Sequence, residues 1–140
     1  MSDEARSERL KKLEILKQHG VNPYPAESFR THENVNFVEV FDSLISSGEQ
    51  VTLAGRIMSF RGQGGISFID LFDGTARVQA LVKKDDIGEE QFKLFTETIN
   101  TGDFVEITGG AFTTQRGVNS LSGKSWRLLS KSLNQIPDEW

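Results

Sequence analysis

At 140 residues the chain is the size of one domain, and no run of apolar residues in it approaches the length that spans a bilayer. It has no cysteine, which excludes disulfides, thiolate chemistry and cysteine zinc sites. A net charge of −4 and a pI near 5.2 argue against a broad basic surface, so any site for a polyanion has to be local.

The first residues, Met1-Ser2-Asp3-Glu4-Ala5-Arg6, are charged where a secretory signal needs apolar ones, so a cytoplasmic site is the default expectation. From Ser2 to about His19 the spacing of Leu10, Leu13 and Leu16, with Gly20 placed as a stop, predicts a helix with a narrow apolar stripe. Its basic residues Arg6, Arg9, Lys11, Lys12 and Lys17 can lie along phosphates or simply face water. His19 and His32 have no further ligands spaced around them and read as solvated or locally capped, so no metal site is expected.

Val21-Asn22-Pro23-Tyr24-Pro25 must be extended, because each proline fixes its own φ and restricts the residue before it. It reads as a strap anchored by Tyr24 and Phe29. A second helix follows, with Asn36 and Glu39 at capping-box spacing and Phe37, Val40, Phe41, Leu44 and Ile45 as its apolar face before Gly48. Val51 to Phe60 reads as a strand in which Val51, Leu53 and Ile57 point one way and Arg56, Met58 and Phe60 the other, with Gly55 marking a bend or bulge.

Arg61-Gly62-Gln63-Gly64-Gly65 is a turn. No Lys-Ser/Thr pair opens a helix after it, which rules out a phosphate loop, and Gly123-Lys124-Ser125 fails the same motif because Val118 stands where it needs glycine. Residues 66–82 then predict a β-hairpin about Asp73-Gly74. With those two as the loop, Phe72 faces Thr75, Leu71 Ala76, Asp70 Arg77, Ile69 Val78 and Phe68 Gln79, and a four-residue loop is expected to leave these pairs unchanged. Leu71, Ile69, Ala76 and Val78 share the core face, while Phe68, Asp70, Arg77 and Gln79 share the other. An aromatic beside an amide is what an unpaired base needs, a surface to stack on and a partner for its edge. Equally, the same residues describe a shielded surface phenylalanine with an Asp70–Arg77 ion pair.

After Val82, Lys83-Lys84-Asp85-Asp86 caps a short helix with Phe92, Phe95 and Ile99 buried. Phe104 to Thr108 alternates as a strand, Gly109-Gly110 permits a bend, residues 111–114 run to a turn at Gln115-Arg116-Gly117, and the last strand includes Trp126 to Leu129. Three strands, a helix and two strands predict an all-β core with helices, a five-stranded OB-fold barrel preceded by an N-terminal helical extension. In that fold the face of strands two and three binds single strands or sugars, and Phe68 and Gln79 lie there, which tips the hairpin toward RNA.

Val51 to Gln79, carrying Gly55-Arg56, Arg61, Ser67-Phe68, Leu71, Asp73 and Gln79, resembles the anticodon-binding domain of class IIb aminoacyl-tRNA synthetases, those for lysine, aspartate and asparagine. The flanks choose among the three. Lys12-Leu13-Glu14, Gly20, Asn22-Pro23-Tyr24-Pro25, Phe29 and Thr31-His32 resemble the N-terminal segment of lysyl-tRNA synthetases. Leu129, Lys131-Ser132-Leu133, Ile136-Pro137 and Trp140 resemble that family's link to its catalytic domain.

The resemblance implies that Phe68 stacks on an anticodon base, that Gln79 reads a base edge and that Arg56 and Arg61 lie near the anticodon loop; Arg77, on the Phe68 face, joins this RNA-binding set. It implies a partner, the uridine-rich anticodon stem-loop of lysine tRNA. This segment would be non-catalytic and hold no cofactor or metal, with ATP and magnesium bound by a catalytic domain and the full-length enzyme a homodimer. Residues 1–48 would be the helical extension and strap, 49–134 the OB-fold anticodon-binding domain, and 135–140 the start of the linker. Two positions depart from the family pattern. Gly65 replaces a usual basic residue and removes a phosphate contact, and Val118 replaces a common glutamate that reads a base, a role for which Asn119 is the candidate substitute. The rival expectations are a free-standing OB-fold protein for single-stranded nucleic acid and a protein-interaction OB domain.

Overall fold

The computed structural model describes residues 3–18 and 28–132. Five strands, β1 (Gln50–Gln63), β2 (Ile66–Phe72), β3 (Arg77–Lys83), β4 (Phe104–Thr113) and β5 (Asn119–Ser130), close into a barrel in the order β1-β2-β3-β5-β4. All pairs are antiparallel except β3 with β5. That closure is the OB-fold barrel expected from the order of elements. Alternation sends Val51, Leu53, Ile57, Ile69, Leu71, Val78, Ala80, Val105, Ile107, Leu121 and Leu128 into a dry interior.

Helices α1 (Asp3–Gln18), α2 (Asn34–Glu39) and α3 (Phe41–Ser47) precede the barrel, and α4 (Lys84–Ile87) and α5 (Glu89–Thr98) connect β3 to β4. Phe95 of α5 is fully buried, stacked on Phe60 at 5.7 Å and edge-on to Trp126 at 5.1 Å. Along α1, Leu16 is fully buried and Leu10 is exposed. The proline strap at 21–25 and the link beyond Ser132 lie outside the described residues.

Four local expectations are corrected. The second helix starts at Asn34, two residues before the proposed capping box, and breaks at Val40 (φ −102°, ψ 15°) into α2 and α3. The cap comes from the β2–β3 turn, where Asp73 Oδ2 accepts from the Asn34 N–H at 2.9 Å and Thr75 Oγ1 from the Val35 N–H at 3.1 Å. Phe37, Phe41 and Leu44 are buried, but Val40 and Ile45 are exposed.

The hairpin register is shifted by two residues. Phe72 pairs with Arg77, Leu71 with Val78, Asp70 with Gln79 and Phe68 with Leu81, so the loop is the four residues Asp73 to Ala76, and a loop of that length does change the pairs. A two-residue turn of the favoured kind needs positive φ at both positions, and here only Gly74 has it, at 93°. Asp73 Oδ1 instead accepts from the Thr75 N–H, the Thr75 hydroxyl and the Ala76 N–H, wrapping a longer loop. Because side chains alternate with period two, the shift leaves the faces intact. It does remove the Asp70–Arg77 pairing, and Asp70 accepts from Ser59 Oγ at 2.9 Å instead.

The irregularity in β1 falls between Ile57 and Ser59, not at Gly55. This bulge at Met58 reverses the phase in the second half of the strand, so Phe60 packs against the core and Arg61 turns outward beside Phe68. Gly55 meets another constraint, since a Cβ there would sit 3.0 Å from the Phe72 carbonyl oxygen.

Candidate nucleic-acid interface

The outward side chains of β2 and β3 open onto a groove of about 500 Å³, lined by the end of β1, the Phe68–Gln79 face and the turn from β4 to β5. Register lines up its far side. Gln79 pairs with Ser120, and Ser120 with Phe112, so Gln79 and Phe112 flank one small buried serine. Leu81, the register partner of Phe68, is buried although it belongs to the same outward row of β3 as Gln79 and Lys83.

Two aromatic rings in the groove carry cations. The Arg61 guanidinium lies 5.4 Å from the centre of the Phe68 ring, and Lys83 Nζ lies 4.8 Å from that of Phe112. Arg116 adds a third positive charge from the turn, and no carboxylate is among the described residues that line the groove. The amide of Gln79 makes no hydrogen bond among the described residues, which leaves a donor and an acceptor available at half-buried depth. An acidic chain therefore concentrates positive charge in one place, where stacking surfaces and an open amide also converge.

Of the residues singled out in the sequence, Phe68, Gln79 and Arg61 meet here. Arg56, Arg77 and Asn119 are not among the lining residues. Arg56 stacks over Phe104 at 4.6 Å and lines a separate, mainly apolar cavity of about 320 Å³ with Arg30, Phe72, Phe104 and Leu129. Arg77 stands exposed at the hairpin's turn end. Asn119 pairs with Thr113 and accepts from its hydroxyl at 3.2 Å, and alternation turns it from the Ser120 row, whereas Val118 itself lines the groove. The basic residues of α1 divide. Arg9 donates to the Ser132 carbonyl and Lys12 to Asn100 Oδ1, tying the helix to the barrel, while Arg6 and Lys11 are exposed.

Lys83, Phe112, Gln63 and Arg116 were outside the set read from the sequence. Phe112 carries the same signal as Phe68, an aromatic on the polar side of an alternating strand two residues from a turn, and Arg116 stands beside the glycine of that turn.

The turn end of the hairpin serves structure. Burial pushes the Asp73 carboxyl up, but hydrogen bonds from the Asn34, Thr75 and Ala76 N–H groups and the Thr75 hydroxyl outweigh it and hold the group below its ordinary value.

Comparison with known proteins agrees with this geometry. The model of the tRNA anti-codon family, an OB-fold nucleic acid binding domain, matches residues 51–129. The chain belongs to that family. Among curated relatives, the lysine-tRNA ligase of Roseiflexus sp. (strain RS-1) is 40% identical over 139 residues, covering 99% of this chain and 28% of the relative. Those of Thermosipho melanesiensis and Thermotoga maritima are 35% and 33% identical, each covering 100% of this chain and 29% of the relative. The chain thus spans under a third of the length of these relatives.

Proposed function

We propose that this domain is the anticodon-binding module of a lysine-tRNA ligase, and that its groove takes the uridine-rich anticodon loop of lysine tRNA. The observation that carries the reading is the meeting of Phe68, the open amide of Gln79 and the cations Arg61, Lys83 and Arg116 in one groove without a lining carboxylate. The extent of the match to lysine-tRNA ligases supports the choice of tRNA.

A ring stacks on the face of an unpaired base, and the Gln79 amide can accept from uracil N3–H while donating to an adjacent carbonyl. The cations hold the phosphates. Binding energy available only with the right anticodon would orient the distant acceptor end of the tRNA and so raise discrimination without chemistry in this domain. ATP-dependent aminoacylation, magnesium and the homodimer belong to the full-length cytoplasmic enzyme in this reading.

The test is titration of the domain with the lysine anticodon stem-loop, a stem-loop of scrambled loop sequence and a duplex of equal charge. Preference for the first is expected, and Gln79→Ala should erode that preference more than total affinity. Equal binding of both loops would indicate a general single-strand binder, and binding of none would indicate a protein-interaction domain.

A further inference from the structure

The groove holds a second aromatic ring, that of Phe112. Phe112 is 37% exposed, its ring faces the groove, and Lys83 lies over it as Arg61 lies over Phe68. We infer that Phe112, backed by Lys83, is a second base-stacking platform, so that the groove engages two bases of one strand, one on Phe68 and another on Phe112; this rests on the RNA-binding reading of the groove.

Spacing separates this from a single sandwiched base. Phe68 is on β2 and Phe112 on β4, with β3 and β5 between them on the groove side. Three inter-strand steps of about 4.8 Å put their backbones roughly 14 Å apart around the sheet. A base clasped between two rings needs them about 7–8 Å apart, two contacts of about 3.5–4.0 Å, so both side chains would have to lean toward each other across two intervening strands. The Gln79–Ser120 row leads from Phe112 across β5 and β3 to Asp70, two residues from Phe68, so the open amide stands on the strand next to Phe68 along the same path. A strand crossing from Phe68 to Phe112 would follow a line of cations from Arg61 to Lys83 and Arg116.

The experiment is a coupling measurement on the intact 140-residue chain, using the lysine anticodon stem-loop and a set of abasic loops, each lacking one loop base. Phe112→Ala should weaken binding of the intact loop about 5- to 150-fold, the range of one stacked base. Phe112→Leu, which keeps apolar volume without a π-face, should resemble it, and Phe112→Trp should restore binding. Each ring should couple to its own base, so removing one base should cost Phe112→Ala almost nothing, and removing another should cost Phe68→Ala almost nothing. Coupling of both variants to one base would overturn the two-platform inference, as would parent-like binding by Phe112→Ala, while leaving the RNA reading intact. Failure of the parent chain to bind any loop overturns both.

Discussion

Two polar clusters in this small barrel show what distinguishes a charge satisfied within the fold from one left available. Where the chain leaves β5, Lys131 donates to the Asp103 carboxylate, the Thr98 carbonyl and Asn100 Oδ1; Asp103 also accepts from the Asn100 and Ser132 N–H groups. Both charged side chains are fully buried. Burial pushes the Lys131 ammonium down, and the charge of Asp103 opposes that. In the groove, by contrast, Arg61 and Lys83 rest on aromatic rings, and the Gln79 amide makes no hydrogen bond among the described residues. The first cluster is complete without a partner. The second leaves its capacity open to one.

The contrast predicts that the two clusters fail in different assays. The largest effect should come from Lys131→Met, which strands the Asp103 carboxylate in a dry site; about 3–5 kcal/mol of stability should be lost. Urea unfolding measures this, and at temperatures where the variant stays folded its affinity for the stem-loop should match the parent. Next is Phe68→Ala, which should cost about 1–3 kcal/mol of binding and change the unfolding free energy by no more than about 0.5 kcal/mol. A comparable loss of stability would mean the ring is a packing element, and the contrast would dissolve.

Asp73 sits at the structural end of the same hairpin and should behave like the first cluster. Its carboxyl is held below the ordinary value of 3.8, so the stability it supplies is present above that pH and disappears as pH falls through the lower folded-state value. Asp73→Asn replaces one accepting oxygen by a donor, should lose about 1 kcal/mol near neutrality and should flatten the decline of the urea midpoint as pH falls through and below the ordinary carboxylate range. An unchanged acid limb in the variant would show that the cap to Asn34 contributes little.

The barrel was legible because period-two alternation in residues 66–72 and 104–108 survives a register error of two residues, though not of one. That tolerance is also why the two-residue slip of the hairpin left Phe68 and Gln79 on the same face. Two features resisted sequence reading. The cap of α2 is supplied by Asp73 and Thr75, some 40 positions away, which no local capping pattern reveals. The phase change at Met58 is likewise invisible as composition, yet it sends Phe60 inward and brings Arg61 to the groove. Lys83 stands on the predicted hairpin itself, opposite Ile66, but the far side of the groove comes from β3–β5–β4 pairing, so Phe112 becomes a neighbour of the predicted pair only once the barrel closes.

The smallest expected effect tests whether the groove's charge acts on the RNA backbone. Arg116 is exposed on the β4–β5 turn and is far from the interior, so Arg116→Gln should leave stability unchanged. Each phosphate contact to a single strand contributes about 0.7 to the slope of log affinity against log salt, so contacts from Arg61, Lys83 and Arg116 together give a parent slope near about −2. The variant should lose about 0.7 of that slope and weaken binding of uridine-rich and scrambled loops by the same factor. If the two loops were affected unequally, Arg116 would be touching a base, and part of the discrimination assigned to Gln79 would move to the turn. An unchanged slope would leave the positive rim without a role in binding, and recognition would then rest on stacking and the amide alone.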